Sequence, residues 1–104
     1  MNTGIQQRAA AIAHHSSLHK AVSQGTIAQY QDITVSEALV LGLLQQGVTR
    51  YFGIFGHGST AIAEVLRIYE YHGLVHTYNV RHETAASHAA TMLNMLTGEV
   101  AAVV

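Results

Sequence analysis

Two residues of this sequence stand where their side chains could do chemistry: Glu83, and His57 between two glycines. Glu83 follows Arg81-His82 without a turn signal and leads into an alanine-rich stretch. That pattern predicts the end of a buried strand meeting the first turn of a helix. The helix dipole there favours a carboxylate, and burial favours the neutral acid. A carboxyl group under opposing pulls can share a proton with a ligand nitrogen. The alternative is a helix-start glutamate that only complements the dipole. His57, between Gly56 and Gly58, can act as acid, base or donor near neutral pH; a solvent-facing loop histidine is the other reading. The spacing Gly53-x-x-Gly56-x-Gly58 lets backbone approach a phosphate at a helix start. It matches neither the dinucleotide fingerprint nor the Walker loop, and a tight strand-to-helix turn explains it equally. His88, five positions beyond Glu83, is expected to pack away from it. His15 and His19 share one helix face without a third ligand, so no metal site is expected.

These residues need strands and helices to hold them. Thr34 followed by Glu37 is a capping-box pattern. Val35, Ala38, Leu39, Gly42 and Leu43 then repeat at helical spacing, with Val40, Leu41 and Leu44 making the helix apolar on most sides and therefore well buried. Gly47 suits its left-handed end. A β-prone run over 50–55 stops at the glycine loop. A second helix is expected over about residues 59–72, with Ala61, Ile62, Val65, Leu66 and Tyr69 on one face. Residues 74–80 read as a strand. A third helix follows Arg81-His82-Glu83, with Ala86, Ala89, Met92, Leu93 and Leu96 inward, and a third strand begins at Val100. Strands alternating with helices predict a parallel α/β sheet with right-handed crossovers and helices on both faces. Ligands of such sheets sit beyond the carboxyl ends of the strands, where both the glycine loop and Glu83 fall.

Residues 1–32 read differently. Rich in Ala, Gln, Ser and His, they suggest weak helices in an N-terminal arm or extension, packed on a neighbour or frayed. Residues 33–104 then form a partial domain, cut off inside its third strand. The composition is 49% hydrophobic and 11% charged, which excludes a disordered chain. Five Lys and Arg and a formal net charge of -1 leave no basic patch for nucleic acid. Without cysteine there is no disulfide or thiol chemistry, which fits a cytoplasmic protein. No apolar run reaches the roughly 20 residues of a membrane span.

The segment Val80-Arg81-His82-Glu83-Thr84-Ala85-Ala86-Ser87-His88-Ala89-Ala90 resembles the cofactor-activating region of thiamine-diphosphate enzymes. The relatives are the acetolactate synthase and 2-oxo acid decarboxylase group. Gly47-Val48, Phe52-Gly53, Gly56 and Thr97-Gly98 fall where that family has them, so the resemblance spans about residues 33–104. Phe55 stands where most relatives have Pro, and the stretch around it is similar to the trihydroxycyclohexanedione hydrolases of inositol breakdown. The resemblance implies a flavodoxin-like pyrimidine-binding domain. It also implies that Glu83 bonds the ring nitrogen of the aminopyrimidine, with Gly56 and Gly58 beside the cofactor. That bond favours the imino tautomer, whose exocyclic nitrogen takes the proton from the thiazolium carbon, which then attacks a carbonyl. His57 would line the substrate side. The substrate would be a 2-oxo acid or related diketone, and the reaction carbon–carbon cleavage or carboligation by a lyase or transferase. The diphosphate and its magnesium would belong to a second domain, of the same or another subunit in a homo-oligomer, marked by Gly-Asp-Gly and a later Asn. No Gly-Asp-Gly occurs in these 104 residues, so the chain alone is expected to be inactive. Rival readings are a non-catalytic anion- or nucleotide-binding module using residues 56–59, and an assembly domain using residues 1–32 and an open sheet edge.

Overall fold

The computed structural model describes residues 3–104, and side chains from Gly4 onward. Five helices and three strands follow the order α1 (Thr3–His15), α2 (Leu18–Ser23), α3 (Val35–Gln45), β1 (Arg50–Gly53), α4 (Thr60–Tyr71), β2 (His76–Asn79), α5 (Glu83–Thr97) and β3 (Ala102–Val103), with a 3-10 turn at His57–Ser59 before α4. The strands are parallel in the order β2-β1-β3. The crossover through α4 moves one way along the sheet and that through α5 moves back. Two right-handed crossovers in opposite directions put their helices on opposite faces. This is the expected α/β class, and the order β2-β1-β3 is the start of a flavodoxin-like sheet.

Side chains alternate along a strand. Tyr51 therefore enters the α4 side, where it is buried with Val40, Val65, Leu66, Ile68, Tyr69 and Val75. Phe52 faces the other way and stacks on Tyr78, their ring centroids 5.0 Å apart. Gly53 admits no side chain, because a Cβ there would collide with the carbonyl of Val104. A glycine in a strand marks just such a close backbone approach. Gly47, Gly73 and Gly98 all have positive φ and close the helices before them.

The N-terminal arm packs on its own chain. α1 lies against α4 and α2, burying Ala9 and Ile12, and Ile12 forms a small second cluster with Ala21 and Ile27. No helix among the described residues is long and apolar enough to cross a membrane.

Three expectations about packing need correction. α3 is not buried on most sides: only Glu37 and Val40 are buried, while Val35 and Leu39 are exposed. The capping box is half made. Thr34 Oγ1 accepts the Glu37 N–H at 3.1 Å, but the Glu37 carboxylate turns inward to Arg8 instead of reaching back. On α5, Ala86 is buried and Ala89 and Leu93 half-buried, but Met92 and Leu96 are exposed, as is Met95. The cause is length. A four-residue strand spans about 13 Å and a 15-residue helix about 22 Å, so α5 overhangs the sheet it crosses.

Candidate functional site at the carboxyl ends of the strands

Gly53 and Asn79 are in register at the ends of neighbouring parallel strands. One further bond, from Val80 N–H to the Gly53 carbonyl at 3.1 Å, continues the pairing past both strands. The glycine loop and Arg81-His82-Glu83 therefore leave the same end of the sheet from adjacent positions. Topology brings together the two segments the sequence singled out.

The loop holds itself in place. The Gly56 N–H donates to the Ile54 carbonyl at 2.9 Å, and the Ser59 N–H to the Gly56 carbonyl at 3.1 Å. The Thr60 hydroxyl donates to the His57 carbonyl at 3.0 Å, and the Ser59 hydroxyl lies 3.3 Å from the Gly56 carbonyl. Sequence reasoning counted Ser59 in the loop and the helix start without giving it a bond, and passed over Thr60; two hydroxyl residues at a helix start are a common place for such bonds. Gly56 and Gly58 both lack positive φ, and a Cβ on either would meet nothing within 4 Å. The turn itself does not demand glycine here, and the space beside the loop is open. His57 is exposed, with no side-chain bond among the described residues.

Glu83 is the first residue of α5. The expected burial is absent: β2 is an edge strand with mostly exposed residues, and Glu83 is exposed. Its carboxylate has no hydrogen-bond or ion-pair partner among the described residues. His82 is the helix cap, its Nδ1 accepting the Thr84 N–H at 3.2 Å. His88 is exposed and not packed, because the helix seats itself through the alanines around it.

The distant histidines do not assemble. His15 Nε2 lies 2.8 Å from the Thr26 hydroxyl, and no group of three metal-ligating side chains occurs among the described residues. A groove of about 620 Å³ lies between the arm and the residues that precede β1 and β2, at the far end of the sheet from Glu83. A cleft of about 290 Å³ does lie near the strand ends, lined by Phe55, Ala63, Arg67, Glu70, Thr77 and Asn79.

One buried polar cluster was unforeseen. Arg8 donates from Nε to Glu37 Oε2 at 2.7 Å and from Nη2 to Oε1 at 2.6 Å. The Tyr69 hydroxyl donates to the same carboxylate at 3.3 Å. Burial pushes the Tyr69 hydroxyl well above its ordinary pKa, and the charge of Glu37 adds to that; burial alone raises Tyr51. Glu37 holds Arg8 in its charged form more firmly than burial opposes it. Sequence reasoning spent Glu37 on a cap because the pattern is local, whereas its partner lies 29 positions away.

No curated protein and no solved structure matches this chain. A family model does: the thiamine pyrophosphate enzyme N-terminal TPP binding domain, over residues 33–104. Thiamine pyrophosphate is thiamine diphosphate under its other name. The match takes in α3, β1, the glycine loop, α4, β2, Glu83 and α5. Spanning well over half of the chain, it shows that this protein belongs to the thiamine pyrophosphate enzyme family, through that family's N-terminal cofactor-binding domain.

Proposed function

We propose that the chain is the pyrimidine-binding part of a thiamine-diphosphate-dependent enzyme, with Glu83 as the residue that activates the cofactor. One observation supports the reading above others: a carboxylate without a protein partner, at a helix start, beside an open glycine loop on the neighbouring strand end. That is a fit for a group whose ring nitrogen must meet a carboxyl and whose ring must lie close to backbone. The cofactor supplies an electron sink for making or breaking a bond next to a carbonyl. The chain's own part is to hold Glu83 in place and keep a proton between its carboxyl and the pyrimidine nitrogen. Gly56 and Gly58 leave room for the ring, and His57 lines the substrate side.

The substrate class we assign is a 2-oxo acid or related diketone, with acetolactate synthase-like cleavage or carboligation. Magnesium and the diphosphate belong to a partner domain carrying Gly-Asp-Gly, in a cytoplasmic homo-oligomer, and the 104 residues alone have no turnover. The nucleotide-binding rival is less well supported. The amides of Gly56 and Ser59 are already bonded to the loop's own carbonyls, which weakens the loop as a phosphate cradle.

The test is an amide-resolved NMR titration with thiamine diphosphate, thiamine and ATP. Thiamine and its diphosphate should perturb Gly56, Gly58 and the residues around Glu83, and Glu83→Gln should weaken the response. A response to ATP alone would overturn the assignment.

A further inference from the structure

We propose that His82 is a positioning residue: its imidazole Nδ1 caps α5 and so fixes where the Glu83 carboxylate stands. The role of Glu83 in this statement rests on the function proposed above; the cap itself does not.

β2 ends at Asn79, and the bond from Val80 to Gly53 is its last anchor on β1. Within three residues the backbone must change from extended to helical and deliver Glu83 as the first helical residue. His82 makes that change. Its backbone is extended, with φ -150° and ψ 141°. Its carbonyl accepts the Ala85 N–H at 3.0 Å and lies 3.3 Å from the Ala86 nitrogen. Its ring accepts the Thr84 N–H. Three first-turn amides thus converge on one residue, and the fully buried Ala86 seats that turn in the protein. Glu83 is pinned between the Val80 anchor and this cap.

Histidine is an unusual choice for the task, which normally falls to Ser, Thr, Asp or Asn. The neighbour explains it. An Asp cap would put a second carboxylate directly beside Glu83, whereas an imidazole nitrogen accepts the amide without bringing a carboxylate's charge. Acceptance at Nδ1 also decides the tautomer, because the ring proton must then sit on Nε2. His82 is exposed, and its Nε2 has no partner among the described residues.

The experiment uses the full chain and the variants His82→Ala and His82→Asn. Ring nitrogen shifts of the unaltered chain at neutral pH should show His82 protonated at Nε2. Exchange of the Thr84 amide should quicken about fivefold to thirtyfold in His82→Ala, the loss that a missing cap brings, and return towards the unaltered rate in His82→Asn. In the thiamine titration, His82→Ala should lose the response around Glu83 and His82→Asn should keep it. A proton on Nδ1, or unchanged Thr84 exchange in His82→Ala, overturns the proposal whatever the cofactor does. A quickened Thr84 exchange with an unchanged thiamine response leaves a cap but overturns the positioning role. If the unaltered chain ignores thiamine while the exchange results hold, the cofactor reading fails and the cap stands.

Discussion

Replacing Arg8 by Met should destabilise the protein far more than a surface residue of α1 would suggest. Arg8 makes two short bonds to Glu37, whose side chain is 3% exposed, and its own side chain is only 16% exposed. Without Arg8, the carboxylate keeps one bond, from the Tyr69 hydroxyl. Removing one partner of a buried ion pair costs about 3–5 kcal/mol, because the remaining charge stays buried and uncompensated. The slight exposure of Arg8 favours the lower figure, about 3 kcal/mol. In a domain of this size that lowers Tm by roughly 12–24 °C, and it lowers the urea midpoint by about 1–3 M. The control is the variant in which Arg8→Met is joined by Glu37→Leu and Tyr69→Phe. It removes the charge and the hydroxyl together, and apolar replacement of a buried pair is often neutral or stabilising. Its stability should return to within about 1 kcal/mol of the unaltered chain. Urea unfolding followed by circular dichroism measures both. A loss below about 1 kcal/mol for Arg8→Met, or a triple variant no more stable than the single one, would refute the reasoning.

Three other outcomes follow from the same structure. The Tyr51 hydroxyl is buried without a hydrogen bond, so Tyr51→Phe should stabilise by about 1 kcal/mol in urea unfolding; a loss would mean the hydroxyl has a partner. Tyr51 and Tyr69 both have raised pKa values in the folded state. The stability they carry is complete below the unfolded value near 10 and is lost as pH rises above it. Tyr69, the more strongly raised, should contribute a slope of about 1.4 kcal/mol per pH unit there, and Tyr51 a smaller part. Urea midpoints taken across that window should fall less steeply in Tyr69→Phe, and an unchanged slope would contradict the burial argument. Glu70 accepts the outward Thr77 N–H at 3.2 Å and the Thr77 hydroxyl at 2.6 Å, which closes the β2 edge of the sheet. Glu70→Ala should therefore promote edge-to-edge association, seen by light scattering as a larger mass; identical masses would rule out the guard.

What could be read from the sequence was whatever its local pattern encodes. The periodicity of Val65, Leu66 and Tyr69 placed α4, Gly47 ended α3, and the alternation of strand and helix led to the parallel sheet. Glu83 and the glycine loop met at one end of the sheet because parallel connectivity demands it. The errors lie where a property depends on distant chain. The burial of α3 and of the α5 face could not be read from apolar content, because a helix is buried only where another element covers it. Glu83 was expected at the end of a buried strand, and the order β2-β1-β3 puts β2 at an edge, with most of its residues exposed. Glu37 has a perfectly good local role as the partner of a cap. Only the fold reveals the cation that draws it inward.

That cation changes how the site is supported. Arg8 lies outside the family-matched residues 33–104, and Glu37 and Tyr69 lie inside them. α4 connects the two ends of the molecule. Its first turn receives the glycine loop through Thr60, and its last turns carry Tyr69 to the buried carboxylate. α1 lies against the same helix. The arm therefore helps to seat the element that presents Gly56, His57 and Gly58. α5 has a different support, packing on β1 and beginning at the His82 cap. The loop and the glutamate of the candidate site thus begin different helices, joined along β1 and through the bonds from Thr77 of β2 to Glu70 of α4. Loss of Arg8 should loosen the loop's side first, with faster amide exchange at Ser59 while Thr84 keeps its protection. Equal loosening of both sides would mean that β1 and the Glu70–Thr77 bonds transmit the disturbance and that the two supports are one.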